Sequence, residues 1–425
     1  MTMPKNRNRR FMTRREFENL VLSIVIALCV VPLVYSLSFF VKKLFALVLL
    51  LENIPVGPWW LLIPFTLGGI IVGIIVWNVA PESEGPGLHI VIAAFNKRDG
   101  RLRLRTGLSK YITTLVTLGS GAPTGIVSPS AMLGNSVASY LGDIMRIDAD
   151  RQKTLSLCGM SAAIATLLQT PFGAALFAVE VVYGNYILYK RFFYCLTSSI
   201  TAYVVTYFVE IQPAYFEVTP VYPVVAPEIL LFIVVTALIT VFVNIGYIFL
   251  YQRIHDFFFE QSWEGKNWLK PMVGMVSAAV IMAPFYSLFI GFQVVGGGRY
   301  PLEVIAAAPL YQIVAVIVVI MFATSLIAGT GGSGGLFMPV MVVGILLGMI
   351  CGSVTSSPSS LIFITAGMSA ALCTTLNVPL ASAILCIELF GPLAVLPSII
   401  GSLTGYLFAK RFVIYHEIQW EELKE

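Results

Sequence analysis

The 425-residue sequence is poor in charge. Asp, Glu, Lys and Arg make up 11% of it, hydrophobic residues make up 58%, and the mean hydropathy is +0.88. A soluble domain carries about 25% charged residues, so the composition argues against a soluble protein and indicates a polytopic membrane protein. We expect a single membrane domain at 18–418, between a basic arm at 1–17 and a short tail at 419–425.

The chain also lacks the residue patterns of enzymes and metal sites. Its six cysteines lie singly in apolar runs without a CxxC pair, its three histidines are far apart, and no HExxH, Walker or Rossmann pattern occurs. These absences argue against a zinc site and a disulfide framework. We expect neither an enzyme nor a bound cofactor or metal, and an intramembrane enzyme ranks last among the alternatives.

Basic residues are concentrated in the arm, at 97–105 and at Lys410-Arg411. By the positive-inside rule these segments are cytoplasmic, and a role of the arm in binding nucleic acid or anionic lipid is the weaker alternative. The apolar stretch after the arm has no small-residue cleavage site, so no cleavable signal is predicted. We expect an integral multi-pass protein of the cell (plasma) membrane with a cytoplasmic N-terminus and no nucleic-acid partner.

An internal repeat divides the chain into two halves. The first matching pair has an offset of 210 and the others have 208: 125–129 (GIVSP) with 335–339 (GLFMP), 159–163 with 367–371 (both GMSAA), Pro171 with Pro379, and Glu180 with Glu388. We predict repeat one at about 60–210 and repeat two at about 270–413. Repeats broken by glycine and proline are typical of transporters whose pathway lies at the repeat interface.

Glu180 and Glu388 occupy equivalent ends of repeated helices. Carboxylates inside a membrane are candidates for function. Their symmetric placement nevertheless favours a structural role, in which each accepts hydrogen bonds from backbone N–H groups of a neighbouring loop.

Both halves contain apolar segments shorter than the roughly 20 residues that a membrane crossing needs. The ends of such helices must be buried in protein or face water, because lipid cannot satisfy their backbone groups. The short segments are 108–119, 130–145, 155–168, 172–182, 337–351, 361–376, 380–389 and 396–408; the longer ones are 20–51, 59–79, 192–209, 229–251, 271–289 and 304–327. We expect a bend at Pro32 and a hydrophilic linker at 255–268.

Three glycine-rich stretches, at 84–88, 119–129 and 329–339, precede short helices. A helix start carries unpaired N–H groups and about half a positive charge, and glycine lets a ligand approach closely, so converging starts form an anion site. Partial charges bind an anion weakly enough to release it. For any single loop, close helix packing is an equal alternative, but three loops on repeat-related segments favour an anion pathway.

In order and spacing, these stretches resemble the signatures of the CLC family of chloride channels and chloride/proton antiporters. The segment 85–89 (GPGLH) corresponds to GSGIP, 125–129 to G(K/R)EGP and 335–339 to GxFxP, and 143–180 resembles the helices that follow the second signature. The resemblance covers about 20–415. It implies the prokaryotic type without C-terminal CBS domains, an all-α inverted-repeat bundle of many tilted and broken helices, and a homodimer with one anion pathway in each subunit.

Carried over residue by residue, the resemblance implies a central anion held by the backbone N–H groups of Leu336 and Phe337 and by the Tyr415 hydroxyl. Gly85 would line the inner entrance. Pro86 stands where the family has serine, and it offers neither hydroxyl nor N–H. Plant members with proline there look nitrate-preferring, so nitrate joins chloride as an expected substrate. Each residue also has an alternative role outside anion binding. Pro86 would only start a helix, the Phe337 ring would only pack in the core, and Tyr415 would anchor the chain at the membrane interface.

The departures from the family pattern bear on mechanism. The gating-glutamate position is Val127, its basic neighbour is Ile126, and the internal proton-glutamate position is Val181, directly after Glu180. Without a carboxylate at either position, proton coupling lacks its carriers; kidney-type members with valine at the first position conduct passively. His89 replaces the proline of the first signature and is expected in a loop without a role in conduction.

We therefore expect passive, proton-uncoupled transport of chloride, with nitrate as a further substrate, by a member of the voltage-gated chloride channel family. The alternatives are a proton-coupled chloride or nitrate antiporter with a different proton route, a fluoride exporter, and a sensor that no longer transports. Tyr415 argues against a fluoride exporter, because those relatives typically lack this tyrosine. The intact third signature argues against a sensor that no longer transports.

Overall fold

The computed structural model describes residues 13–53, 55–183, 188–209, 227–261, 263, 265–291, 308–355, 360–409, 412 and 414. Within these residues the regular structure is helical apart from one isolated antiparallel bridge. The α-helices are α1 Arg14–Val48, α2 Leu62–Asn78, α3 Leu88–Lys97, α4 Leu104–Gly119, α5 Val127–Ile144, α6 Ala149–Leu168, α7 Pro171–Tyr183, α8 Tyr189–Phe208, α9 Pro227–Glu260, α10 Lys270–Met282, α11 Tyr286–Gly291, α12 Leu310–Gly329, α13 Phe337–Val354, α14 Ser360–Leu376, α15 Pro379–Phe390 and α16 Val395–Ala409. The predicted all-α architecture is confirmed.

Helices in the described part of the chain differ in how deeply they are buried. Seven helical stretches are long and apolar enough to cross a membrane: Arg14–Asn53, Gly57–Asn78, Ile229–Glu260, Asn267–Leu288, Leu310–Gly329, Phe337–Val354 and Pro392–Ala409. The most apolar window of α13 is 78% buried inside the protein, whereas that of α9 is 33% buried. The helix that begins in the third signature is therefore central, and α9 lies at the periphery.

The helix bounds follow local signals that apolar runs do not contain. α6 is longer than the predicted segment 155–168 because Asp148 caps its start, accepting a hydrogen bond from the N–H of Arg151. α1 starts inside the predicted arm at a capping box formed by Thr13 and Glu16, and it continues through Pro32.

The expected hydrophilic linker at 255–268 is helical in its first part, since α9 continues to Glu260. The rings of His255 and Phe259 stack with centroids 4.5 Å apart, and the ammonium of Lys270 lies 4.7 Å from the centre of the Phe259 ring. Aromatic packing therefore extends the helix through residues whose charge suggested a loop.

The two halves use the same close contact between their helices. A Cβ atom on Gly134 or Gly159 would lie 2.1 Å from the carbonyl oxygen of the other, and the equivalent distances for Gly344 and Gly367 are 2.6 and 2.3 Å. Only glycine at these positions lets α5 approach α6, and α13 approach α14, so closely. The sequence repeat is therefore also a repeat of packing.

Ion pairs join several helix ends on one face of the molecule. They connect the start of α1 with α6 and α8, α6 with α8, α6 with the segment after α3, and the segments at the two ends of α3 with each other: Arg151–Glu18 (3.3 Å), Lys190–Glu16 (3.4 Å), Arg191–Asp150 (2.6 Å), Lys153–Asp99 (3.9 Å) and Arg98–Glu82 (3.0 Å). Charges gathered at helix ends in this way are expected of a side that meets water.

Candidate anion-binding site

The three glycine-rich loops meet in the interior of the protein. Gly125 and Gly335 form the isolated antiparallel bridge, each donating its N–H to the carbonyl of the other, with N–O distances of 2.8 and 2.7 Å. The N–H of Gly85 donates to the carbonyl of Gly331 at 3.5 Å. The bridge joins equivalent residues of the two repeats running in opposite directions, which is the relationship of inverted repeats.

Helices α5 and α13 begin directly after this bridge. Their N-cap residues, Ile126 and Leu336, make no side-chain hydrogen bond to the helix start, and the third residue of each helix is a proline without an N–H. Within the described residues, no hydrogen bond is made to the N–H groups of Val127, Leu336 or Phe337. All three residues are at most 2% exposed. The two donors predicted from the sequence therefore lie at a buried, uncapped helix start.

The starts of α7 and α15, in contrast, are capped by carboxylates of the opposite repeat. Each carboxylate accepts two backbone hydrogen bonds: Glu388 from Phe172 (3.0 Å) and Gly173 (2.7 Å), and Glu180 from Leu380 (3.0 Å) and Ala381 (2.7 Å). The predicted hydrogen bonds from backbone N–H groups to both glutamates are confirmed. Because helix starts favour negative charge, the protein supplies its own anion at α7 and α15 and leaves α5 and α13 able to take an external one.

Lys110 of α4 is a site residue that the sequence analysis missed. It is fully buried, and its ammonium donates to the carbonyl of Ser83 at 3.1 Å and to that of Gly85. Gly85 and Gly87 have φ angles of +68° and +96°, which favour glycine. This backbone turns its carbonyl groups toward the ammonium. The lysine thus adds positive charge one residue from Pro86, which has no donor of its own.

Two hydroxyl groups beside the bridge also lack a partner. Thr124 and Ser128 are 7% and 2% exposed, and their Oγ1 and Oγ atoms make no hydrogen bond within the described residues. A Cβ atom on Gly334 would lie 2.2 Å from Thr124 Oγ1, and one on Gly335 would lie 2.7 Å from Ser128 Oγ. A buried polar group without a partner costs about 1–3 kcal/mol. The two hydroxyls are therefore available to bind a polar ligand at this position.

The two positions assigned to proton transfer are aliphatic and buried. Val127 is the first residue of α5 and is 1% exposed, whereas Val181 lies in α7 and is 0% exposed. Tyr415, the third predicted donor to the anion, lies outside the described residues. No group of three or more His, Cys, Asp or Glu side chains that could hold a metal ion occurs in the described ranges.

Two aromatic residues of the signatures pack against neighbouring elements. The ring of Phe337 meets that of Phe177 edge to face, with centroids 5.2 Å apart, so its side chain serves packing. His89 lies in the first turn of α3, and its Cε1 atom would be 3.2 Å from a Cβ on Gly85. The expected loop placement of His89 is wrong, because α3 begins directly after Gly87.

A family model described as "Voltage gated chloride channel" matches residues 68–410, most of the chain. The chain belongs to this family. It is 27% identical over 394 residues to a ClcB-like chloride channel protein of Ralstonia nicotianae, covering 83% of each chain. It is 25% identical over 361 residues to the H⁺/Cl⁻ exchange transporter ClcA of Vibrio cholerae, covering 79% of this chain and 73% of the relative.

A solved CLC-type fluoride/proton antiporter shares the fold, with a TM-score of 0.81 at 18% identity over 96% of this chain and 99% of the other. The resemblance seen in the three signatures is thus confirmed as membership of the CLC family, and the inverted-repeat fold with it. The general activity of the chain is CLC-type chloride transport, and it is a multi-pass membrane protein.

Proposed function

We propose that this CLC protein transports chloride passively, without coupling to protons, through a pathway that passes the starts of α5 and α13. The observation that carries this proposal is the contrast between two symmetric pairs of helix starts. One pair is capped by Glu180 and Glu388, and the other has no hydrogen bond to the N–H groups of Val127, Leu336 and Phe337 in the described part of the chain.

The helix starts and the bridge offer donors that a monovalent anion can use. Three N–H groups, at Val127, Leu336 and Phe337, and two hydroxyls, on Thr124 and Ser128, can each donate a charge-assisted hydrogen bond of roughly 1.5–3 kcal/mol net, which offsets part of the cost of taking the anion out of water. The helix dipoles and the ammonium of Lys110 add to this, and binding by partial charges favours release of the anion.

The absence of coupling rests on the two valines. Val127 and Val181 can neither bind a proton nor imitate an anion, and they replace the glutamates that carry protons in CLC exchangers. The aliphatic side chain of Val127 also leaves its own helix start to the transported anion.

Nitrate is proposed as a second substrate because Pro86 stands in the first loop. Proline removes the hydroxyl and the N–H that a serine would direct at a small, strongly hydrated halide. A larger, more weakly hydrated anion loses less from their absence.

We further propose a homodimer in the cell membrane with the N-terminus in the cytoplasm and one pathway in each subunit. α7 packs against α8 and α15, and α15 packs against α16, so the four helices are neighbours. Large apolar side chains are exposed on two of them, Tyr207 and Phe208 on α8 and Leu403 and Leu407 on α16. The basic face around the start of α1 supports the orientation.

A proton-coupled antiporter is the second candidate, favoured by the relative named as an H⁺/Cl⁻ exchange transporter. It would need a proton route that avoids positions 127 and 181. A fluoride exporter ranks below it, since the solved fluoride/proton antiporter supports the fold alone.

Flux from reconstituted liposomes, recorded together with internal pH, tests the proposal. We expect chloride and nitrate efflux that runs down its own gradient without proton movement. Chloride efflux that drives proton uptake at a fixed ratio contradicts the uncoupled mechanism and favours the antiporter. Fluoride efflux without chloride efflux favours the exporter.

A further inference from the structure

Glu84 places a carboxylate within the first glycine-rich loop, one residue before Gly85. It lies in the connection between α2 and α3, outside the apolar spans. Its side chain packs against the loop that precedes α13, since a Cβ on Gly331 would lie 3.1 Å from Glu84 Cγ and 3.6 Å from Oε1. The Gly85 N–H donates to the Gly331 carbonyl beside this contact. The side chain of Glu84 therefore extends from the first loop to the third loop of the site.

Two lysines, on two different helices, interact with the segment that contains this carboxylate. Lys110 of α4 donates to the carbonyls of the residues on either side of Glu84 in sequence, and Lys270, at the start of α10, also interacts with it electrostatically. Both lysines are at most 3% exposed. The other titratable groups around this cluster are Tyr251, His255 and Asp256 on α9 and His89 on α3.

We propose that Glu84 is a further functional residue of the anion pathway: its ionised carboxylate takes the place of an anion at the first loop and must be protonated before an external anion binds there. The proposal rests on the transport function proposed above. It adds a titratable group to a pathway whose positions 127 and 181 are valines. A carboxylate and a halide seek the same positive groups, and joint occupancy is opposed by their like charges.

The environment of Glu84 suits such a switch near neutral pH. Burial raises the pKa of Glu84 to about 7, while Lys270 and Lys110 act in the opposite direction, and burial lowers the pKa of Lys110 to about 7 as well. A raised pKa means that the carboxyl group is neutral below about pH 7 and ionised above it. Anion flux should therefore be high at acid pH and fall as the pH rises through neutrality.

The test compares Glu84→Gln with Glu82→Gln. Glu82 lies two residues earlier and pairs with Arg98 at 3.0 Å nearer the surface, so its variant controls for loss of a carboxylate in the same segment. In proteoliposomes, chloride flux of the parent and the Glu82 variant should fall about 30-fold between about pH 5.5 and about pH 8.5, following the protonated fraction of a group with a pKa of about 7. Glu84→Gln should keep a high flux at both pH values.

Titration calorimetry of purified protein with sodium chloride, in buffers of different ionisation heat, gives a second readout without transport. Near pH 7 only part of the Glu84 population is ionised, so the parent should take up less than one proton for each chloride bound. Glu84→Gln should take up none. A Gln variant with the parent's pH profile overturns the proposal. So does one that still takes up the proton, or a folded one that neither binds nor transports chloride. Absence of flux in the parent at every pH contradicts the transport function itself, whereas unchanged pH profiles in active variants contradict only the role of Glu84.

Discussion

Glu180 and Glu388 cap each other's helices with the same pair of hydrogen-bond distances, 3.0 and 2.7 Å. Glu180 lies on α7 and binds the start of α15, and Glu388 lies on α15 and binds the start of α7. The pair therefore joins the two repeats across their interface. Together with the Gly125–Gly335 bridge it gives the interface two contacts that obey the same internal symmetry.

Replacing either glutamate should destabilise the protein without abolishing its pathway. In Glu180→Gln or Glu388→Gln, the single oxygen of an amide replaces two carboxylate oxygens, so one N–H loses its acceptor; at Glu180, where the bonded N–H groups are buried or part-buried, this costs about 1–3 kcal/mol, and at Glu388, where they are more exposed, it costs less. Thermal unfolding in detergent should show a lower Tm for both variants. Glu18→Gln, which removes a surface ion pair with Arg151, is the control and should change the Tm little. Three equal melting temperatures would contradict the capping role.

Val127→Glu should introduce a block that depends on pH. The new carboxylate would accept hydrogen bonds at the start of α5, as Glu180 does at the start of α15. It would therefore compete with chloride for the start of α5. Chloride flux should be suppressed when the side chain is ionised and recover as it is protonated at acid pH. Val127→Gln is the isosteric control and should not respond to pH. If Val127→Glu behaves as the parent at acid and neutral pH, position 127 does not face the pathway.

Ser128→Ala should weaken chloride binding. Loss of one hydrogen bond of about 1.5 kcal/mol to a charged ligand corresponds to an increase in Kd of about 10-fold. Ser136→Ala is the matched control, because Ser136 is also buried in α5 but its hydroxyl donates to the Met132 carbonyl at 3.0 Å. Calorimetry with chloride measures both. Equal affinities in the two variants would show that the Ser128 hydroxyl serves packing alone.

Gly159→Ala should destabilise the fold, because its Cβ would lie 2.1 Å from the carbonyl oxygen of Gly134. Relieving that overlap requires α5 and α6 to separate, and overpacking costs about 1–3 kcal/mol or more. Gly246→Ala in α9 meets no atom within 4 Å and should be neutral or stabilising, since alanine is favoured in helices by about 1 kcal/mol. The variants are compared by Tm and by recovery after heating. A Gly159 variant as stable as the Gly246 variant would contradict the packing account.

The repeat, the caps and the donor-bearing helix starts were all predictable from the sequence. Equivalent placement of Glu180 and Glu388 indicated a symmetric structural role, and the glycine-rich stretches at 119–129 and 329–339 indicated that helices start directly after them, as α5 and α13 do. These features depend on residues close together in the chain or on the constant offset between its halves. Periodicity and spacing in the sequence are therefore sufficient to predict these features.

Contacts between distant segments were not predictable in the same way. Lys110 reaches the first loop from α4, and Glu84 meets Gly331 across the repeats; neither contact has a pattern within one segment. The linker expected at 255–268 was wrong in its first part for the same reason. The ring of Phe259 is covered by Lys270 from the next helix, so charged residues of this stretch remain helical.

Crystals soaked in bromide test the central claim most directly, because bromide replaces chloride and its anomalous scattering locates it. The account predicts a peak within about 3.5 Å of the backbone nitrogens of Leu336 and Phe337, near the hydroxyl of Ser128. Bromide peaks that lie only elsewhere, with the starts of α5 and α13 unoccupied at saturating bromide, would contradict it.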